Sequence, residues 1–331
     1  METLKRLNQK RTAGYRKDEK SEDFLVNLND ALLALELDLV EQNQKDQNFP
    51  LIFVYGCPRA GTTLTTQLIA RGLQVGYMNN LSARFWKAPN VGVKLSHQIL
   101  GRERKVETFS HFGQTDGLNN VHDFGYFWRK WLHMENVDSV CEVESEKNKI
   151  DWTALSLVTN SLKHEFQSPV VMKNILGAHH FSSLNQNLGP IIWVRITRDE
   201  IDNAISIVNA REKFYDDRDV WWSCAPPEFH QLAGLSWNEQ ISGQVYYLNK
   251  FYDSLRSQPS SNRIIEFNYQ KLCSNPEALL HEIISKAEGL YNFKISMSGE
   301  KIEPLEQREY RDHPDRETLR LSFKAIRSDL E

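Results

Sequence analysis

The run Leu51–Tyr55 (LIFVY) constrains this chain more than any other feature. Five apolar residues in unbroken succession need cover on both faces, the pattern of a strand inside a parallel sheet. The chain then enters Gly56-Cys57-Pro58-Arg59-Ala60-Gly61-Thr62-Thr63, after which a helical pattern covers residues 63–71. A buried strand, a glycine turn and a helix start, in that order, make an anion site. Glycine lets the backbone approach the anion, and the amides of the first helical turn have no partner inside the helix.

The same alternation continues downstream. Strands are predicted over 170–172, 191–196 (IIWVRI) and 263–267, and helices over 199–211, 237–255 and 276–286, the last with Pro276 in its first turn. Strands alternating with helices imply an α/β fold, a parallel sheet covered by helices on both faces. Residues 1–48 read as an N-terminal helical extension: 1–17 frayed, a helix over 21–42, then a polar linker over 42–48. Leu25, Leu28, Leu32, Leu35 and Leu39 recur at spacings of three and four and form one face. That stripe is expected against the body of the domain, with a helix pair in a homodimer as the alternative. Residues 49–331 read as a single domain with insertions around 79–168 and 212–235. The insertions are rich in Trp, Phe and His and weakly periodic, which predicts irregular binding loops or lids.

Composition narrows the function classes. The 331 residues suit one large α/β domain, and a net charge of −4 gives no global reason to expect a nucleic-acid partner or an anionic membrane. Cys57, Cys141, Cys224 and Cys273 form no CxxC pair and join no histidine at zinc spacing. Free thiols in a reducing compartment, and no metal, are the expectation. The most apolar early stretch, Ala31–Val40, is broken by Glu36 and Asp38 and falls far short of the roughly 20 apolar residues of a membrane span. Neither a signal peptide nor a transmembrane segment is expected.

Gly56 and Gly61 have the spacing of the nucleotide-binding loop G-x-x-x-x-G-K-[ST], with one change: Thr62 stands in the lysine position and the cation lies inside the loop as Arg59. A triphosphatase needs that lysine on its β/γ-phosphates. Pro58-Arg59-Ala60-Gly61-Thr62-Thr63 instead resembles the 5′-phosphosulfate loop of the sulfotransferases, roughly P-[KR]-[SA]-G-T-T. Arg198, just past the strand 191–196, and Ser206, eight residues on, are similar to the Arg and Ser with which that family holds a 3′-phosphate. Val171-Met172-Lys173-Asn174 resembles the strand whose exit lysine faces the active site. Residues 265–272 with Asn275-Pro276-Glu277 resemble the late Y-E-D-L…D-P-E stretch. The resemblance runs from about residue 50 to about 290 and omits the last forty residues.

The resemblance implies a P-loop NTPase-like sulfotransferase architecture. It also implies 3′-phosphoadenosine-5′-phosphosulfate (PAPS) as co-substrate, no metal, and sulfuryl transfer to an acceptor hydroxyl or amine. Pro58, Arg59, Ala60, Gly61, Thr62, Thr63, Arg198 and Ser206 would bind the nucleotide, with Arg59 and Lys173 at the reacting bond. Without a membrane anchor, the chain would belong with the cytoplasmic members.

The general base is less clear from the sequence. Some members use a His just after the lysine strand, others a Glu beyond the phosphate loop. Here Asn174 follows Lys173, and Tyr77–Ser82 holds no carboxylate. The candidates in order are His122 with Asp123, then His180 beside His179, then Glu142 and Glu144. Arg84, Phe85, Trp86, Trp131, Trp221 and Trp222 are candidates to line the acceptor site. Carbohydrate, lipid, phenol and peptide acceptors stay open, with the aromatic insertions favouring carbohydrate. Two rival readings remain: a P-loop kinase-like enzyme, and a non-catalytic sulfotransferase-like nucleotide-binding protein.

Overall fold

The computed structural model describes residues 4–43, 48–102, 106–108 and 112–328. Five strands form one sheet: β1 Leu51–Tyr55, β2 Gly76–Tyr77, β3 Val170–Lys173, β4 Ile191–Thr197 and β5 Ile264–Asn268. All pairs are parallel and the order is β2-β3-β1-β4-β5. β1 lies in the middle, with Leu51 level with Val170 of β3 and Ile191 of β4. The chain winds from β1 to one side through β2 and β3, then crosses to β4 and β5. The crevice at the carboxyl ends beside β1 is therefore a topological switch point, where sheets of this kind bind ligands.

β1 is wholly buried because both faces are covered. On one face Phe53, Tyr55 and Trp193 contact one another and Trp128, Phe181 and Tyr252, with ring centroids 5.1–5.6 Å apart. On the other, the Thr62–Gly72 helix lies against β1 and β3 and against the Pro276–Tyr291 helix. Arg195 interrupts the apolar run of β4, yet it is 2% exposed. Its register partner on β5 is Glu266, and its guanidinium bonds Glu266 at 2.9 Å and Asp253 at 2.8 Å. Paired and hydrogen-bonded, a buried charge is tolerated there.

The first insertion is more regular than its pattern suggested. It holds the helices Pro89–Leu100, Gly125–Trp131 and Trp152–Phe166. Much of its aromatic density is core: Phe124, Phe127 and Trp128 are buried, and Trp128 packs edge-on to Phe53. A helix of seven residues makes only two turns, too few to show a period in sequence.

The N-terminal extension departs further from expectation. One helix was predicted over 21–42; two are present, Glu19–Ala31 and Leu33–Gln42, broken at Leu32. Of the leucine stripe Leu35 is 48% exposed, while Leu25, Leu28, Leu32 and Leu39 are half-buried and Leu25 packs on the core. The buried positions are Asn29, Glu36 and Val40. Asn29 donates to the Arg84 carbonyl and accepts from the Lys87 amide. Glu36 accepts from the Asn90 and Val91 amides and the Asn90 side chain, placing a carboxylate on the N-terminus of the Pro89–Leu100 helix. Asn29, Glu36 and Val40 recur at spacings of three and four with the half-buried leucines, so the docking face is the leucine face with polar caps set within it. Residues 4–17 are also structured rather than frayed: Leu4–Gln9 is helical, Leu7 is buried, and the Thr12 amide bonds the Phe214 carbonyl at 2.8 Å. Of the linker expected over 42–48, residues 44–47 lie outside the described ones. The C-terminal helix Arg316–Ser328 packs on Trp237–Ser254 through Leu319 and Phe323. Among the described residues no helix is long and apolar enough to cross a membrane.

The Glu36 cap carries a stability prediction. Glu36→Ala leaves the Asn90 and Val91 amides buried without their acceptor and should cost about 1.5–3 kcal/mol in denaturant unfolding. It should also speed proteolysis of the N-terminal helices, with Glu36→Gln intermediate. Unchanged unfolding and digestion would show that the carboxylate does not hold the extension.

Candidate functional site

The phosphate loop is shaped by its contacts with β4. Gly56 has φ +153°, and a Cβ there would fall 2.4 Å from the Ile196 carbonyl oxygen. Gly61 has φ +111°, and a Cβ there would fall 2.8 Å from the Tyr269 ring. Neither position admits a side chain without displacement. Arg59 between them lies in the left-handed region at φ +70°, an uncommon conformation for a residue with a Cβ. The surroundings hold it there. Arg198 Nη1 donates to the Arg59 carbonyl at 3.1 Å, and Asn203 Nδ2 to the Pro58 carbonyl at 2.6 Å. The loop therefore delivers the first-turn amides of the Thr62–Gly72 helix to the crevice.

That crevice is a cleft of about 280 Å³ at the carboxyl ends of β1, β3 and β4. Of the predicted residues, Pro58, Arg59, Gly61, Thr62, Thr63, Lys173, Arg198 and Ser206 line it; Ala60 is buried behind. Arg59 Nε donates to Ser206 Oγ at 3.1 Å, and its guanidinium lies 5.2 Å over the Phe112 ring. Burial, with Arg198 and Arg308 close by, lowers its pKa to about 10, so it stays charged at neutral pH.

Arg198 stacks over Tyr269 and Tyr310, 4.6 and 5.6 Å to the ring centroids. Its Nη2 donates to the Arg308 carbonyl, while its Nε is buried with no partner. Arg308 and Tyr310 belong to the last forty residues, which the sequence pattern left outside the site. They run as irregular chain, tied down where Arg316 pairs with Asp202 at 2.8 Å. A segment with no period leaves no sequence signal beyond its local density of Arg and Tyr.

The other end of the cleft is built on Lys173, the last residue of β3. Its Nζ lies 3.3 Å from Thr63 Oγ1 and 3.8 Å from Asp123 Oδ2. Burial lowers the Lys173 pKa; Asp123 opposes the shift and Arg59 adds to it. For Asp123, burial pushes the pKa up, but Lys173, His122 and the Gly125 amide outweigh it and hold the carboxyl at about 2. Burial lowers the His122 pKa below its ordinary value. His122 Nδ1 accepts from the Phe124 amide at 2.9 Å, which puts the ring proton on Nε2 and leaves no free lone pair. Of the His122–Asp123 pair, Asp123 is the group open to receive a proton.

Other candidates lie elsewhere. The turn Gly177–His180 directs His180 inward, where it is buried against Trp152 and pushed down to about 4 by burial. His179 stacks on Phe251. Glu142 and Glu144 are exposed, and Glu144 pairs with Lys147. Trp222 lines the cleft, while Trp221 is buried under Arg211, Trp131 packs near Phe127, and Trp86 packs on Tyr126. Closeness in sequence to Lys173 placed His180 on the candidate list; the direction of one turn removes it.

Solved structures share this architecture. The chain is similar to sulfotransferase STF9 from Mycobacterium avium, with TM-score 0.55, 11% identity, and 84% of this chain and 74% of that chain covered. It is also similar to sulfotransferase STF1 from Mycobacterium tuberculosis H37Rv, with TM-score 0.49, 12% identity, and 89% and 81% covered. No family model and no curated protein matches the sequence. At this identity the STF9 likeness is one of fold: the five-stranded parallel sheet with its covering helices is a sulfotransferase fold.

The Lys173–Asp123 pair can be tested directly. Asp123 opposes the burial that depresses the Lys173 pKa. Asp123→Asn should therefore lower the Lys173 pKa further, followed by NMR titration of the labelled lysine side chain. A Lys173 pKa that stays put or rises would show that the two groups are not coupled.

Proposed function

We propose that this chain transfers a sulfuryl group from PAPS to an acceptor hydroxyl or amine. The observation that carries the reading is the convergence of Arg59, Lys173, Arg198 and Ser206, from the ends of three adjacent strands, on one cleft above the glycine loop. The residues fit the donor. The buried, unpartnered Arg198 Nε offers a phosphate a hydrogen bond. The loop amides with Thr62 and Thr63 suit the 5′-phosphate. Arg198 and Ser206 suit the 3′-phosphate, and Tyr269 and Tyr310 add aromatic faces.

The bound donor supplies a sulfuryl group whose S–O bond to the 5′-phosphate breaks as the acceptor's oxygen or nitrogen bonds to sulfur. Arg59 and Lys173 would stabilise the charge that grows on the bridging oxygen. Asp123, 3.8 Å from Lys173, would receive the acceptor's proton. A carboxyl held at about 2 is a weak base at rest. Donor anions beside Lys173 would offset the cation that depresses Asp123 and move its pKa towards the working range.

Nucleotide binding tests the assignment. Adenosine 3′,5′-bisphosphate should raise the melting temperature far more than ATP with magnesium. Arg198→Ala should weaken its binding by about 1.5–3 kcal/mol in calorimetric titration, with the fold retained. Equal stabilisation by both nucleotides, or by neither, contradicts the assignment, and unchanged affinity in Arg198→Ala removes that residue from the phosphate site.

Arg59 should act more on turnover than on binding. Its backbone already serves the loop, so its guanidinium can exchange Ser206 for the bridging oxygen as charge develops there. Arg59→Ala should bind the bisphosphate within about tenfold of wild type and lose about 100-fold in turnover. Arg59→Lys should recover part of the rate. Proportional losses of binding and turnover would make Arg59 a nucleotide anchor instead.

A further inference from the structure

Phe112 and Gly113, from the first insertion, line the same cleft as the phosphate loop. Both have positive φ, +49° and +86°, and the chain turns sharply there. The turn is anchored. The Phe112 ring lies against the Arg59 guanidinium at 5.2 Å and edge-on to Phe214 at 6.3 Å. Phe214 in turn packs on Tyr15 at 4.3 Å, and its carbonyl accepts from the Thr12 amide. A turn pinned through Phe112 fixes where Gly113 sits.

Gly113 sits among the groups that would handle the reacting bond. A Cβ on it would lie 3.5 Å from Thr63 Oγ1, 3.7 Å from Arg59 Nη1 and 3.7 Å from Lys173 Nζ. These are three hydrogen-bond donors, two of them charged. They come from the Thr62–Gly72 helix, the phosphate loop and the end of β3. The distances are ordinary contacts, so the protein itself has room for a methyl group at this point. Charge-assisted bonds to an anionic oxygen run at about 2.7–2.9 Å, so side-chain movements of about 1 Å would bring all three donors onto one oxygen there.

Positive φ accounts for a glycine at this position but not for its surroundings. Gly117, in the same insertion, has φ +78° and open space where its Cβ would stand. Both glycines answer a backbone need. Gly113 alone of the two faces Arg59, Lys173 and Thr63.

We infer that Gly113 is a further residue of the donor site: the side chain it lacks is the room in which the sulfuryl group sits, and a side chain there excludes that group while leaving the nucleotide's phosphates in place. The inference rests on the sulfotransferase reading. Arg198 and Ser206, which suit the 3′-phosphate, are not among the nearest neighbours of Gly113. Filling this position therefore acts on the end of the donor that reacts.

The experiment is calorimetric titration of the full chain, without acceptor, using PAPS and adenosine 3′,5′-bisphosphate, two probes that differ only in the sulfuryl group. Gly113→Ala should bind the bisphosphate within about threefold of wild type and PAPS about tenfold or more weakly, the scale of overfilling a packed site. Gly113→Asn, whose side chain tolerates the left-handed region, should show the same selective loss and carries the test if Gly113→Ala fails to fold. Gly117→Ala places a similar backbone strain at an open position and should leave both affinities as in wild type. Equal losses for both probes, no loss for either, or the same selective loss in Gly117→Ala overturns the inference alone, provided wild type binds both probes. A wild-type chain that binds neither overturns the sulfotransferase reading, and this inference with it.

Discussion

The packing of the Gly56–Gly61 loop against the end of β4 is the constraint on which the site depends. Gly56 lies against the Ile196 carbonyl, and the loop's own carbonyls are held by Arg198 and Asn203 from the segment that follows β4. Those bonds keep Arg59 in a left-handed conformation that costs energy in isolation. One strand end therefore shapes the loop that the neighbouring strand carries, and the side chain that would grip a phosphate also holds the loop. Loosening this contact would disturb the amide cradle and the Arg59 side chain together.

The second organising force is repulsion. Arg59, Lys173, Arg198 and Arg308 share one small cleft, and the chain supplies few acids to balance them. Burial and mutual proximity lower the pKa of Arg59 and Lys173, the mark of that repulsion. Asp123 offsets part of it beside Lys173, which also explains why its own carboxyl is held so low. The ring faces of Tyr269, Tyr310 and Phe112 offset more by lying against the guanidinium groups.

Both ends of the chain return to this region. The N-terminal segment reaches Tyr126 through Lys17 and Glu22, and the C-terminal segment brings Arg308 and Tyr310 over Arg198. Each return is secured by polar contacts: Glu36 on the amides of the Pro89–Leu100 helix, and Arg316 on Asp202. Such contacts are specific in geometry and weakly marked in sequence.

The amino-acid sequence by itself determined the sheet's buried strands and the phosphate loop. Leu51–Tyr55, the two glycines around Arg59, and Arg198 with Ser206 are legible because each is a local requirement: a run with two covered faces, a turn without side chains, a fixed spacing after a strand. The placement of Lys173 at a strand exit was legible for the same reason. The tertiary structure alone decided what surrounds them. It turned His180 inward, set Asp123 beside Lys173, put the aromatic insertion largely into the core, and brought Arg308 and Tyr310 to the cleft. Those outcomes depend on contacts between residues far apart in the chain, Asp123 and Lys173 or Phe53 and Trp128 among them, or on the direction of a single turn. Neither leaves a period or a spacing in the chain, because the partners that fix them are neighbours only after folding.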